Sequence, residues 1–342
     1  MTGSAGQLRV PTQWLADLQI PLPSLDVQRC IVAKIEELFS DLDAGVAALE
    51  RAKTKLKRYR AAVLKAAVEG RLTEAWRREH PDTEPAERLL ERILIERRQR
   101  WEAEQRRKYT ATGKTPPKDW QNKYQEPQPP DTTSLPELPK GWCWTTLDQL
   151  AEYIRNGWSK KPNKTPPGFG ILRISAVRPM RVDLGLVRYV ESSMDEVAAY
   201  LIEEGDLLFT RYNGSLDLLG VCGRVPAVPE PTMHPDKLIR VRTVLPYPMN
   251  AFVEIASNTG LSRVHLARRA RTTAGQTGIS GQDVRETPIP LAPVKEQAVI
   301  VEAVDYQLSV IDAMDMEIYK GLQRAARLRQ SILKHAFEGR LV

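Results

Sequence analysis

The side chains best equipped by type for chemistry gather in a few short stretches. These are Ser159-Lys160-Lys161, Arg178 with Arg181, Thr210-Arg211-Tyr212-Asn213-Gly214-Ser215, and the run from Arg263 to Gln276 that holds Arg268, Arg269, Arg271 and Thr273. Ammonium, guanidinium, amide and hydroxyl groups in such company donate hydrogen bonds to anionic or carbonyl acceptors. They do not form a bond-breaking constellation. An adenine methyltransferase would show a glycine-rich nucleotide loop and an Asn/Asp-Pro-Pro-aromatic tetrapeptide. The nearest strings, Thr115-Pro116-Pro117-Lys118 and Thr165-Pro166-Pro167-Gly168, lack both the amide or carboxylate and the aromatic. A phosphate-cradling loop around Gly113-Lys114-Thr115 would need glycine where Lys108 stands. No local motif groups Ser, His and Asp or Cys and His. Cys30, Cys143 and Cys222 lie far apart, with no metal-ligand spacing, and a sparse odd count suits a reducing cytosol. The chemistry on offer is that of binding, and no metal site is expected.

The elements that must position these groups begin with a duplication. Ile20 to Leu72 reappears without a gap as Ile289 to Leu341. Ile20-Pro21-Leu22 answers to Ile289-Pro290-Leu291, Gln28 to Gln297, Arg58 and Arg60 to Arg327 and Arg329. Both copies close on the same tetrapeptide, Glu69-Gly70-Arg71-Leu72 and Glu338-Gly339-Arg340-Leu341. Roughly a third of the aligned positions are identical, which implies an internal two-fold. In the first copy apolar residues step by four and three through Ile31, Ile35, Leu38, Leu42, Gly45, Leu49, Ala52, Leu56, Tyr59, Val63 and Ala66. The second keeps the frame from Ile300 to His335, and His335 reads as a seam filler rather than a catalyst. Such heptads predict two helices of about 40 residues, each about 60 Å long. Asp26 is the expected N-cap of the first, with Gly70 and Gly339 as stops. Neither helix can bury its stripe alone. The obvious partner of each copy is the other, antiparallel within one chain, a dimer between chains being the alternative.

Between the copies, Glu87 to Lys108 reads as a basic helix whose charges pair along one solvated face, as in Glu104–Lys108. Proline-rich sequence from Thr110 to Pro139 reads as an extended crossing. A mixed globular part, here called the head, opens at Leu138-Pro139-Lys140-Gly141-Trp142. Its strand candidates are 170–176, 186–190, 206–211, 220–225 and 238–243, and its helix candidates 148–154, 194–201 and 250–258. The class is therefore α+β: one mixed α/β head plus two long helices packed as an antiparallel coiled coil. The expected divisions are 1–19, 20–73, 74–137, 138–288 and 289–342. With 50 basic against 43 acidic side chains the chain is mildly basic, which fits a polyanionic partner without requiring one. No charged-then-apolar leader opens Met1-Thr2-Gly3-Ser4-Ala5 and no apolar run approaches membrane-spanning length, so a cytoplasmic protein without a membrane partner is expected.

The order of these pieces resembles the specificity (S) subunits of type I restriction–modification systems. Ile-Pro-Leu-Pro, Gln28, a long helix and Glu-Gly-Arg-Leu resemble a spacer of that family. Val294-Lys295-Glu296-Gln297 is close to its Pro-x-x-Glu-Gln signature. Leu138 to Trp144 resembles the opening of a target recognition domain, Glu204-Gly205-Asp206-Leu207-Leu208 its central strand and Gly275 to Ser280 its closing turn. Full S subunits run recognition domain, spacer, recognition domain, spacer. Here the order is spacer, domain, spacer, so the chain resembles a truncated form, with 1–19 as the remnant of an upstream domain.

The resemblance implies a non-catalytic subunit that reads one half of a split target in double-stranded DNA. Methyltransferase (M) subunits, which would carry the S-adenosylmethionine, dock on the spacer helices, and motor–nuclease (R) subunits join that core. The chain itself needs no cofactor. The missing half would come from a second S half-subunit or a second copy of this chain. DNA contacts are then expected from Lys160, Lys161, Arg178, Arg211, Tyr212, Asn213, Ser215, Arg268, Arg269, Arg271 and Thr273. The alternatives are a stand-alone coiled-coil adaptor or a DNA-binding protein without a methyltransferase partner.

Overall fold

The structure is a computed structural model describing residues 10–273 and 276–342, with the side chains of Thr273 and Gln276 outside that description. The opening pentapeptide, the first nine residues of the 1–19 stretch and Gly275 of the closing turn therefore lie outside the described residues. Contacts divide the chain into two units. One comprises residues up to Arg58 together with Val310–Val342, and the other Tyr59–Ser309.

The first unit is built on the duplicated helices, α1 (Leu25–Val68) and α5 (Val294–Phe337), each 44 residues long. They pack antiparallel. Arg329 binds Asp43 at 2.6 Å and stands 4.5 Å over the Phe39 ring. A Cβ added to Gly321 would meet Leu49 at 3.0 Å, so this seam glycine permits the close approach. In the second unit the same two helices meet again, where Tyr59 donates to Gln307 at 3.0 Å. The expected coiled coil within one chain is thus present.

The duplicated termini fold identically. The amide of Gln28 donates to the Pro23 carbonyl and that of Gln297 to the Ala292 carbonyl, both at 2.7 Å. Gly70 and Gly339 both sit at φ +67°. Arg71 N bonds back to Ala66 O and Arg340 N to His335 O, both at 2.9 Å, closing each helix in a Schellman turn. Asp26 is not the N-cap. It lies inside the first turn of α1, where its charge favours the helix dipole.

In the second unit, α2 (Ala86–Ala111) and the following linker fold back on each other through Trp101, Trp120 and Tyr124. The head strands are β1 (Cys143–Thr146), β2 (Ala151–Asn156), β3 (Phe169–Leu172), β4 (Val187–Val190), β5 (Leu207–Thr210), β6 (Cys222–Arg224), β7 (Thr232–Met233), β8 (Leu238–Thr243), β9 (Arg271–Thr273), β10 (Gln276–Gly278) and β11 (Pro288–Leu291). The central sheet runs β2-β8-β5-β6, all antiparallel. A second sheet runs β4-β3-β7, and β1 pairs with β11. Two helices, α3 (Met249–Ser257) and α4 (Gly260–Arg268), follow β8. The helix expected at 148–154 is only Leu147–Leu150. Ala151 onward is strand β2, because the edge of β8 offers a ladder that local helix preference cannot match. Helix α4 was not anticipated from the sequence.

Buried charge fixes the head. Asp206, 1% exposed, accepts Arg242 Nε and Nη2 at 2.7 and 2.9 Å, with Arg240 at 3.8 Å. Gly205, at φ +86°, turns the chain into β5 and takes the Asn250 amide on its carbonyl at 3.3 Å. The fully buried Glu296 accepts Thr73 Oγ1 at 2.6 Å and Trp142 Nε1 at 2.8 Å, and pairs with Arg77. Among the described residues no helix is long and apolar enough to cross a membrane.

Candidate nucleic-acid interface

The site is built where β5 leaves the central sheet. Arg211 N donates to Lys237 O at 2.9 Å, and Ile279 N donates to Arg211 O at 2.9 Å, so the strand end is pinned on both sides. The Arg211 guanidinium donates to Asp236 O at 3.3 Å and lies 4.8 Å over the Tyr212 ring. Its Nε is buried and has no acceptor among the described residues. Tyr212 bridges to Gly278, and Asn213 N donates to Thr277 O at 3.3 Å. Asn213 Oδ1 accepts Ser215 N at 3.0 Å, an Asx turn that leaves Gly214 and Ser215 exposed. Arg263 of α4 holds the next turn by donating to Leu219 O at 2.5 Å and Asp217 O at 3.0 Å.

Two further groups of cations adjoin this strand end. The hairpin β9-β10, whose strand β10 carries Thr277 and Gly278, sets the exposed Arg271 opposite Gly278. On the other side lies a cleft of about 490 Å³ lined by Trp158, Lys160, Lys161, Arg173, Arg188 and Lys237 among others. The loop carrying the two lysines is fixed by Trp158 N to His234 O at 2.9 Å and Asp236 N to Trp158 O at 2.8 Å. Trp158 packs edge-on to Tyr200, and Lys160 Nζ stands 5.0 Å from the indole. Behind them His234 is fully buried, which pushes its imidazole down to about 4 and keeps it neutral at pH 7. None of the five cleft cations is in a salt bridge among the described residues, and Asp236 is the one acid in the lining.

The eleven sequence candidates therefore separate. Lys160 and Lys161 flank the cleft. Arg211, Tyr212, Asn213, Ser215 and Arg271 gather at the strand end, with Thr273 at the end of β9. Arg178 lies in the two-residue pairing of Val177–Arg178 with Arg181–Val182, and its guanidinium donates to the carbonyl of the preceding Val177 at 2.9 Å. Arg268 is exposed at the end of α4, while Arg269 is held by Glu286 at 2.9 Å and Asp283 at 3.6 Å. Arg173, Arg188 and Lys237 were missed by sequence reasoning. Their approach depends on β3 pairing with β4 and on the 235–237 turn meeting the Trp158 loop, neither of which leaves a local signal.

No family model matches the chain. The EcoKI specificity subunit of the type I restriction enzyme from Escherichia coli (strain K12) is 34% identical over 326 residues, 95% of this chain and 58% of that protein. The chain is a homologue of type I restriction-enzyme specificity subunits. The StySPI specificity subunit of Salmonella potsdam is 28% identical over 324 residues, again 95% of the chain and 58% of the relative. The homologue thus spans less than two thirds of the length of these two relatives. A chain solved in work on complex assembly and conformational transition of the type I R-M system superposes with a TM-score of 0.50 at 18% identity, covering 94% of this chain and 61% of that one. That likeness is one of fold.

Proposed function

We propose that the chain is the DNA-reading subunit of a type I restriction–modification complex and carries no catalytic residue of its own. In this reading 138–288 is a target recognition domain, 20–73 and 289–342 are the spacers, and 74–137 is the connecting helix and linker. The head reads one half of a bipartite target. M subunits, with S-adenosylmethionine bound to them, dock on the spacer helices, and R subunits join that core.

One observation carries the reading. The strand end bearing Arg211, Tyr212 and Asn213 is continuous, through Lys237, with a cleft whose five cations share one lining acid, Asp236, and make no salt bridge among the described residues. Phosphate contacts fix register on a duplex, and base edges are read by forked guanidinium and amide groups. Lys160, Lys161, Arg173, Arg188 and Lys237 are assigned to phosphate. Arg211, Asn213, Ser215 and Arg271 are assigned to the base-facing side, with Tyr212 stacked to support Arg211. Arg178 and Arg268 take phosphate at the margins, whereas Arg269 is already paired with Glu286 and Asp283.

The test is co-purification with a cognate M subunit followed by mapping of methylated adenines. Methylation at a split motif is the expected result. Methylation independent of sequence, or an M subunit that ignores the chain, would overturn the assignment.

A further inference from the structure

Helix α2 ends in a structured tip. Gly113 sits at φ +64° and Lys114 N donates to Tyr109 O at 3.0 Å, the same left-handed turn that closes the duplicated helices. The chain then doubles back. The buried Trp120 stacks on Trp101 at 5.9 Å between ring centres and meets Tyr109 edge-on at 6.4 Å. Arg106 lies 5.7 Å over the Trp120 ring, and the Gln121 amide donates to Glu102 at 3.4 Å. Aromatic packing thus holds the returning segment against the helix.

This tip displays positive charge that nothing neutralises. Along the body of α2 the cations meet carboxylates, as Arg100 meets Glu96 and Glu152. From Arg106 to Gln125 the sequence holds one acid, Asp119, against six basic residues. Arg106 and Lys108 reach back to Glu102 and Glu104. Arg107, Lys114 and Lys118 are exposed and in no salt bridge among the described residues.

The path of α2 carries the tip to the reading end of the head. Ala86 N donates to Gly141 O at 2.8 Å, Arg97 Nε to Ala151 O at 2.8 Å, and Arg100 Nη1 to Glu152 at 2.9 Å. Helix and β2 therefore advance in the same direction, along the edge strand of the central sheet. From Arg100 to Arg107 a helix rises about 10 Å, and from Glu152 to Asn156 a strand runs about 13 Å. Asn156 stands opposite Ile239, and the neighbouring Leu238 pairs with Thr210, where Arg211 leaves the sheet. Trp158, Lys160 and Lys161 of the cleft follow Asn156 closely in the chain. The tip thus comes level with the cleft on the β2 side of the head.

We propose that the tip of α2 is a second contact with the backbone of double-stranded DNA, in which Arg107, Lys114 and Lys118 take phosphates beside those assigned to the cleft. This rests on the DNA-reading assignment and extends it to a segment outside 138–288. Two of the three side chains are lysines, point charges without the fork that reads a base edge, so the tip adds affinity and not sequence choice.

The test measures affinity against salt for the full chain and for a variant carrying Arg107→Gln, Lys114→Gln and Lys118→Gln, on a duplex containing the target and on an unrelated one. In the variant the slope of log affinity against log salt should fall by about two to three on both duplexes, close to one per phosphate lost, with the ratio between them kept. Arg107→Lys alone, which preserves the charge, should behave as the parent. An unchanged slope in a triple variant with parental circular dichroism would overturn the proposal. If Lys160→Ala, Lys161→Ala and Arg188→Ala still lower the slope, the reading of the head stands without it. An unchanged slope joined to weaker capture of an M subunit would overturn it too, and would assign the tip to an acidic protein surface. A parent chain that binds neither duplex would instead overturn the DNA-reading assignment, and this proposal with it.

Discussion

Helix α2 and the head cleft are both rich in cations, and they dispose of charge in opposite ways. On α2, Arg98 pairs with Glu102 and Glu126, Arg100 with Glu96 and Glu152, Arg106 with Glu102 and Lys108 with Glu104. Arg97 reaches Asp148 and the Ala151 carbonyl, fastening the helix to the head. At the cleft, Lys160, Lys161, Arg173, Arg188 and Lys237 share a concave wall with one acid and no salt bridge among the described residues. Basic composition by itself therefore says little. A cation already paired adds little to the field at a polyanion, whereas unpaired cations around a concavity add their fields and release counterions when phosphate enters.

The strongest way to break that contrast is at the strand end. Arg211→Ala with Asn213→Ala should erase discrimination between target and unrelated duplex, a loss of roughly 10- to 1000-fold from one or two base-edge contacts, with unchanged circular dichroism. Retained selectivity in the folded double variant would remove these residues from the reading surface. Next, Lys160→Ala, Lys161→Ala and Arg188→Ala together should lower the slope of log affinity against log salt by about three, close to one per phosphate contact. An unchanged slope would show that the cleft does not meet the backbone.

Charge in the interior gives a third test of partnered against unpartnered groups. Burial on α3 pushes the Glu254 carboxyl up to about 7, although Arg224 donates to it from its backbone N at 2.7 Å and from Nε at 3.3 Å. Asp305 nearby pushes in the same direction. A carboxyl raised on folding favours the folded state below its unfolded value and loses that advantage as pH rises toward 7, on the order of 3 kcal/mol in all. Urea unfolding should therefore show Glu254→Gln flattening the decline in stability between pH 5 and pH 8. A variant as pH-sensitive as the parent would refute that origin. The smallest effect is expected on α2, where Arg98→Gln, Arg106→Gln and Lys108→Gln together should leave duplex affinity within about twofold and the salt slope unchanged. A drop comparable to that of the cleft variant would erase the distinction between the two regions.

Much of the architecture was legible because it repeats. Heptad spacing, the Gln28 and Gln297 positions and the two Glu-Gly-Arg-Leu stops specify long helices with like ends, since capping and the left-handed glycine turn are decided within a few residues. The Gly-Asp before β5 and the Pro-Lys-Gly-Trp before β1 were also visible. The site was legible in part. Arg211 to Ser215 and the two lysines lie in stretches whose composition marks them as loops.

Sequence alone determined the helical rods, their glycine stops, the α+β class and the absence of recognisable catalytic motifs, because each follows from local pattern or residue type. Tertiary structure decided which cations stay unpaired, since that depends on which carboxylates approach from distant segments. It also turned 151–156 from helix to strand, because the open ladder of β8 outweighs local preference. And it buried Ile289, Leu291 and Val301 while leaving their counterparts Ile20, Leu22 and Val32 exposed, because burial depends on what packs above a residue rather than on the residue itself.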